Sequence, residues 1–441
     1  MNSPLLNEND WLGEFIFPQE PERRFSGHLK YSPTSGIKLE YFFNSHQRPE
    51  KIKLDYLFGT LKTGEKCTLI GSSFFDHDEL ALHSTSTSGV ADFAFLIIGT
   101  HCLSPFQIES ISFSLTNLDN FFYPQGSSDS IKHFKKPIFE IIKPNITYSL
   151  LTNTKTKYFT GEISSQIFSN SAEADSDLDN AFKVIKEKHK NTNFFLKKDL
   201  FLIFEIKPKE FIGLRDALIK ISEIANLFAI LINRPVLPKL IRAKNVGQLD
   251  HKNDLAIYTN VTIDPKTLEI ALNNISYHSA PLNGGNIDAQ YVISKWLDLE
   301  EKNLSIISAI QGNTNSYDKY SLHGETVLLG AQLESINKIF KGPAKSKYEL
   351  PIQRLASKEL VGSLRKNLAL DETERIGKSF GDLRDELAHF NKPKVRLKKM
   401  DDMQLLITVL NIQLVVISYS LYELKIPIEL IHNYQNEFIF T

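Results

Sequence analysis

Cysteine is nearly absent from this chain of 441 residues: Cys67 and Cys102 are the only two. Two cysteines cannot build a disulfide framework or a zinc site, and no CxxC pair exists. Both read as small buried hydrophobes of a reducing compartment. Cys102 directly follows His101, but neighbours in a strand point to opposite faces, so no Cys–His nucleophile is expected. Excess charge of one sign is lacking too. Lys and Arg number 51 against 52 Asp and Glu, a formal net charge of −1. No global basic field therefore marks the chain for nucleic acid, and any polyanion site has to be a local patch. The most apolar stretch, Leu405 to Leu421, is broken by Thr408, Asn411, Gln413 and two serines, and reads as a buried helix rather than a membrane span. The opening MNSPLLNENDWLGEF has neither a basic nor an apolar signal region, so a cytoplasmic, membrane-free location is expected. No GxxxxGK[ST] or GxGxxG loop follows a strand, there is no HExxH, and the histidines lack metal-ligand spacing. No cofactor and no metal are expected.

What is present suits a globular protein of two or three domains, with 42% hydrophobic and 23% charged residues. The 30 phenylalanines and the tyrosines read as core rather than a base-stacking platform, with Trp11 and Trp296 as core anchors. Short β-branched and aromatic segments (FSGHLKYSP, GIKLEYFF, IKLDYLFGTL, KCTLIGSSFF, VADFAFLIIGTHCL, IESISFSLTNLDNFF) alternate with turn signals at Ser32-Pro33, Ser35-Gly36 and Thr63-Gly64. They predict a sandwich-like or open-barrel sheet to about residue 125. KYFTGEISSQIFS and FFLKKDLFLIFEIKPKE predict further strands around a polar loop, NSAEADSDLDN. Leu214, Leu218, Ile221, Ile224, Ala225 and Phe228 recur at helical spacing, and strands are expected again at DLAIYTNVTI and TLEIALN. The Pro- and Gly-Gly-containing loop His278–Asn286 marks a domain boundary. After it, helices are predicted near 287–311, 323–341, 350–369, 372–390 and 401–424, with Asp371 and Asp401 as N-caps of the last two. The fold class is α+β: a β-rich N-terminal domain over 1–280, mixed α+β beyond about 160, then an all-α helical bundle over 287–441.

The chemistry concentrates in LRDELAHFNKPK. Ile376, Phe380, Leu383, Leu387 and Phe390 form a core-facing stripe. At about 100° per residue, Arg384 falls roughly 80° from the stripe, Asp385 about 180° and His389 about 140° on the other flank. The three therefore share the outward arc, yet Arg384 and His389 are too far apart to meet on one ideal helix. Fraying near Pro393 or a second copy across a two-fold axis would bring them together. Histidine exchanges protons near neutral pH, and arginine forks onto phosphate and stabilises developing charge. The two suit metal-free RNA cleavage by a ribose 2′-OH, with Asp385 orienting either. Lys392, Lys394, Arg396, Lys398 and Lys399 follow as a local basic run suited to an RNA backbone. The same Arg-x4-His spacing at Arg23–His28 leads into a strand and reads as chance.

This motif, with a polar residue after the arginine, resembles the signature of HEPN domains, helical bundles that are often dimeric and often metal-independent endoribonucleases. LLGAQLESINKIF, which includes Glu334, is similar to an early HEPN helix, FGDLRDELAHF to the motif helix, and LLITVLNIQLVVISYSLYELKIP to the terminal helix. The first half resembles the ApeA family's N-terminal domain: WLGEFIFPQEPERRFSGHLKYSPTSGIKLEY, LFGTLKTGEKCTLIGSSF, ISEIANLFAILINRPV and VISKWLDLE are similar to that family's segments in order. ApeA-type proteins are single-chain antiphage systems acting by abortive infection. The resemblance implies catalytic Arg384 and His389, supporting Asp385 at a position often filled by Asn, and Glu334 as a further carboxylate. It also implies an RNA substrate with tRNA the leading candidate, a homodimer, a phage-derived trigger and a sensing N-terminal domain. The alternative is a non-catalytic HEPN dimerisation or nucleotide-binding module with an N-terminal domain that binds protein or glycan.

Overall fold

The computed structural model describes residues 4–44, 53–74, 86–102, 107–123, 136–160, 163–169, 171–190, 194–245, 254–299, 319–389 and 391–440. The chain divides into two compact units. One comprises residues 1–119, 125–225 and 236–274; the other comprises 120–124, 226–235 and 275–441. The fold is α+β, with one large antiparallel sheet between residues 9 and 259 and an all-helical C-terminal region.

The sheet begins with β1 (Asn9–Phe17), β2 (Glu20–Ser32), β3 (Gly36–Asn44), β4 (Lys53–Leu61), β5 (Lys66–Phe74), β6 (Ser86–Phe93) and β7 (Phe95–Ile98). Their order, β5-β4-β1-β2-β3-β6, closes on itself. β6 pairs with β3, and β7, one residue further on, pairs with β5. One kinked strand thus joins both ends of a six-stranded ring. At the closure Gly71 leaves no room for a side chain, since an added Cβ would lie 2.7 Å from the backbone nitrogen of Ala94. Inside the ring, Phe15, Leu29, Leu39, Tyr41, Leu57 and Leu69 are fully buried. Gly27 and Gly59 make space for the Phe15 ring, the large-against-small filling that small barrels require.

From β7 the sheet continues through β14 (Leu255–Thr259), β13 (Pro238–Asn245), β8 (Ile108–Leu115), β12 (Phe194–Pro208), β10 (Ile146–Thr160) and β11 (Ile163–Ser169), with β9 (Phe139–Lys143) beside the first half of β10. The expected β sheet to about 125 is therefore part of one 14-stranded sheet that ends well beyond it. Two local expectations are corrected. The polar stretch after Ser171 is a helix, α2 (Ala172–Lys188), following α1 (Leu118–Phe122). Ser171 caps it, and Lys186 and Lys188 sit favourably in its last turn. TLEIALN is also helical. After α3 (Leu214–Ile232), α4 (Pro265–Leu272) starts on Asp264, whose carboxylate accepts the N–H of Thr267 at 3.0 Å, with Pro265 in the first turn.

In the helical unit, α5 (Ala289–Trp296) comes first; the remainder of the predicted 287–311 helix lies largely outside the described residues. Then follow α6 (Lys319–Ile339), α7 (Glu349–Leu355), α8 (Lys358–Asn367), α9 (Ile376–Ala388), α10 (Asp402–Glu423) and α11 (Ile428–Phe438). The single helix expected over 350–369 is two, because Ser357 turns the chain and caps α8. That break is filled by Gln435 of α11, whose amide oxygen accepts the Ser357 N–H at 2.6 Å and whose nitrogen donates to the Leu355 carbonyl at 2.7 Å. α9 starts at Ile376, not near 372, and Asp371 is not its cap; the carboxylate of Glu349 accepts the Gly377 N–H at 2.8 Å instead. Asp401 does cap α10, in a full capping box with Gln404.

α10 is the axis of the bundle. Among the described residues it is the one helix long and apolar enough to cross a membrane, and 78% of that apolar window is buried inside the bundle. Of its interrupting polar residues, Asn411 and Ser418 have internal partners, whereas the hydroxyls of Thr408 and Ser420 are buried without one among the described residues. Asn411 bonds Ser363 of α8 and both the N–H and carbonyl of Phe440, while Ser418 accepts from Gln435. Buried amides stay stable only when so paired.

Candidate functional site

α9 buries Ile376, Phe380 and Leu383 as its apolar periodicity dictates, with Leu387 half-buried; Phe390 lies outside the described residues. Glu386, one turn after Leu383, is buried as well. The helix ends at Ala388, and His389 is its C-cap, in extended conformation (φ −119°, ψ 116°) with its backbone N–H on the Asp385 carbonyl at 3.1 Å. His389 has thus left the helical wheel, and among the described residues no hydrogen bond joins its imidazole to Arg384. Its exposed imidazole makes no hydrogen bond among the described residues.

Arg384 is less open than the outward arc implied. Its side chain is 24% accessible and its stem lies against Gly330 of α6, where an added Cβ would be 2.9 Å from the Arg384 Cγ. Its Nε is buried without a partner. Its Nη1 donates to Asp385 Oδ1 at 3.0 Å, and Lys392 Nζ donates to the other oxygen, Oδ2, at 2.8 Å. The hydrogen bond from Lys392 leads in holding the Asp385 carboxyl below its ordinary range; burial opposes it, and the hydrogen bond from Arg384 adds to the lowering. Asp385 is therefore an anion at neutral pH.

The basic run is strapped back onto α9. The Glu386 carboxylate accepts the backbone N–H groups of Arg396 at 2.9 Å and of Leu397 at 3.0 Å. Lys394 donates to the carbonyls of Glu386 and of His389, the latter at 3.0 Å. Arg396 pairs with Glu374, and the Arg396 hydrogen bond holds that carboxyl low. Lys398 and Lys399 remain exposed. Lys392, Lys394 and Arg396 thus have a structural attachment that composition alone did not reveal. Glu374 and Glu386 were missed; the available signal was a glutamate on the apolar stripe, just ahead of a cation-rich loop.

Glu334 sits on α6 one turn beyond Gly330. It accepts from Lys347 at 2.9 Å and lies 3.6 Å from Lys338. The Lys347 hydrogen bond leads in holding its carboxyl below the usual range. No hydrogen bond or ion pair joins Glu334 to Arg384 or His389 among the described residues. A different carboxylate on the same helix, Glu325, is buried and its pKa is pushed up to about 7 by desolvation. Among the described residues no three His, Cys, Asp or Glu side chains cluster to hold a metal ion.

The arrangement places a titratable imidazole, a half-buried guanidinium and an ammonium around one helix end, with one carboxylate tying the two fixed cations together. Such a set can exchange a proton and hold an oxyanion. Comparison with known proteins gives one family: the model described as ApeA N-terminal domain 1 matches residues 10–296. No curated protein and no solved structure matches the chain.

Proposed function

The chain belongs to the ApeA family through its N-terminal domain, and from that premise we propose that this antiphage protein is an RNA endonuclease acting through the end of α9. The observation that carries the reading is the junction of Arg384, Asp385 and Lys392 beside the unengaged imidazole of His389. The resemblance of the α9 motif to the HEPN signature supports it.

In this reading His389 takes the proton of a ribose 2′-OH. The freed O2′ attacks the adjacent phosphorus, the P–O5′ bond breaks, and the 5′ oxygen leaves with a proton supplied by a second imidazole. The products are a 2′,3′-cyclic phosphate and a 5′-OH end. Arg384 stabilises the charge on the non-bridging oxygens. The second imidazole comes from a second copy of this chain, making the working form a homodimer. Structured cellular RNA, tRNA foremost, is the substrate, and the N-terminal domain senses a phage component and releases the nuclease.

The test incubates wild-type and His389→Ala protein with total cellular RNA in EDTA, alone and in phage-infected extract, and maps the RNA ends. Cyclic-phosphate ends made by wild type and absent with the variant are expected. Equal cutting by both, or silence from wild type in infected extract, overturns the reading.

A further inference from the structure

Asp385 has two carboxylate oxygens, and each holds a different cation. The cations reach it from independent anchors. Arg384 comes from α9, its stem fixed against Gly330. Lys392 comes from the loop after α9, whose course is set by the buried Glu386 carboxylate on the N–H groups of Arg396 and Leu397, and by Arg396 on Glu374. Arg384 also keeps a buried Nε without a partner. A phosphodiester carries the same single charge as a carboxylate and likewise offers two oxygens, and charge-assisted hydrogen bonds to such oxyanions are the strong ones.

We propose that Arg384 and Lys392 are the two halves of a clamp for one RNA phosphodiester, and that Asp385 occupies this clamp until RNA displaces it. The proposal rests on the RNA reading above and deepens it. Of the five cations that follow the motif, it gives Lys392 the reacting phosphate and leaves the exposed Lys398 and Lys399 to flanking backbone. Asp385 becomes a competitor of the substrate. It gives the site order before RNA arrives and sets a threshold that weak anions do not pass.

The test measures binding of a labelled 2′-O-methyl RNA, which cannot be cut, to the full chain by fluorescence anisotropy over a range of salt concentrations. Lys392→Ala and Arg384→Ala are each expected to weaken binding about 5- to 10-fold at low salt and to lower the slope of log K against log salt by about 0.7, the value for one phosphate contact on a single strand. Asp385→Asn, which removes the competing charge and keeps the shape, is expected to tighten binding about 3- to 10-fold, on the scale of one exposed charge contact. Unchanged affinity and slope in Lys392→Ala, or weaker binding in Asp385→Asn, overturns the clamp. Cleavage of ordinary RNA, followed in parallel, separates this failure from that of the nuclease reading. A chain that shows the clamp behaviour but does not cut even in phage-infected extract refutes the nuclease alone. A chain that cuts, with kcat/KM unchanged in Lys392→Ala, refutes the clamp alone. A wild-type chain that binds no RNA and does not cut it in phage-infected extract overturns both.

Discussion

Arg-x4-His occurs twice in this chain, once in a strand and once at a helix end, and the two copies have different fates. In β2 the separation of five is odd, so Arg23 and His28 leave opposite faces of the strand. Arg23 bonds Glu20 and lies 5.7 Å from the centre of the Phe17 ring. His28 is held between Asp10 on one neighbouring strand and Glu40 on the other. Arg23 is occupied by Glu20 of its own strand and by the Phe17 ring, His28 by carboxylates of the two neighbouring strands, and nothing about them converges. In α9 the helix stops between the two residues, His389 turns out of the helical geometry, and Arg384 is braced by a second helix. Sequence spacing acquires chemical meaning from the backbone that carries it and from which polar groups are left unengaged.

The sharpest way to break the comparison is to remove each histidine and arginine in turn. His389→Ala is expected to lower RNA cleavage about 10²- to 10⁴-fold, the usual weight of a general base. Arg384→Ala should lose about 10²- to 10³-fold, and Arg384→Lys should not restore the activity, because an ammonium cannot reproduce the guanidinium fork. His28→Ala and Arg23→Ala should leave the cleavage rate at the wild-type value. Single-turnover rates on one purified RNA decide the matter; a comparable loss in the β2 variants would erase the distinction.

The helical copy is backed by α6, and that helix carries the next largest effect. Glu325 keeps a proton in the folded protein up to about pH 7, whereas in the unfolded chain it ionises near the ordinary glutamate value. Between those values the folded state binds more protons, so stability falls as pH rises through this window and stays reduced above it. Glu325→Gln removes the penalty. It should stabilise the chain by at most about 3 to 4 kcal/mol at pH 8, taking about 1.4 kcal/mol per pH unit, and by little near pH 4.5. Denaturant unfolding at the two pH values tests this, and an equal effect at both contradicts it.

Much of this is legible in the sequence. The alternating aromatic segments of the barrel, the apolar stripe of α9 and the Asp401 cap follow from local periodicity and capping chemistry. What was missed depends on partners far along the chain. The break between α7 and α8 is filled by Gln435, 78 residues beyond Ser357. The cap of α9 is Glu349, 28 residues before Gly377. No window of a dozen residues contains either pair. The same holds at the site. Arg384, Asp385 and His389 were visible as a motif, but the role of Gly330 depends on which helix lies beside Arg384, and only tertiary packing decides that.

Gly330→Ala probes that packing with a smaller expected effect. Alanine favours a helix interior by about 1 kcal/mol over glycine, so the overall stability should change by less than that in either direction once the contact is counted. The added Cβ, 2.9 Å from the Arg384 Cγ, has to push the middle of the arginine stem and so displace its guanidinium. Cleavage should fall about tenfold, as a shift of the order of an ångström costs a positioned group, with the melting temperature nearly unchanged. Loss of stability in step with activity would mean that Gly330 serves the bundle rather than the arginine.

The smallest effect belongs to the strand copy. The side chains around His28 are exposed enough, with Asp10 at 62% accessibility, that water screens their attraction. Such surface pairs contribute about 0–1 kcal/mol. His28→Ala should therefore lower unfolding free energy by no more than about 1 kcal/mol, and the loss should shrink as salt is raised. A double-mutant cycle with Asp10→Ala measures the pair directly. A coupling well above that range would mean that the β2 pair is a structural centre of the barrel rather than a surface contact, and the contrast between the two copies would then lie in what each one holds in place.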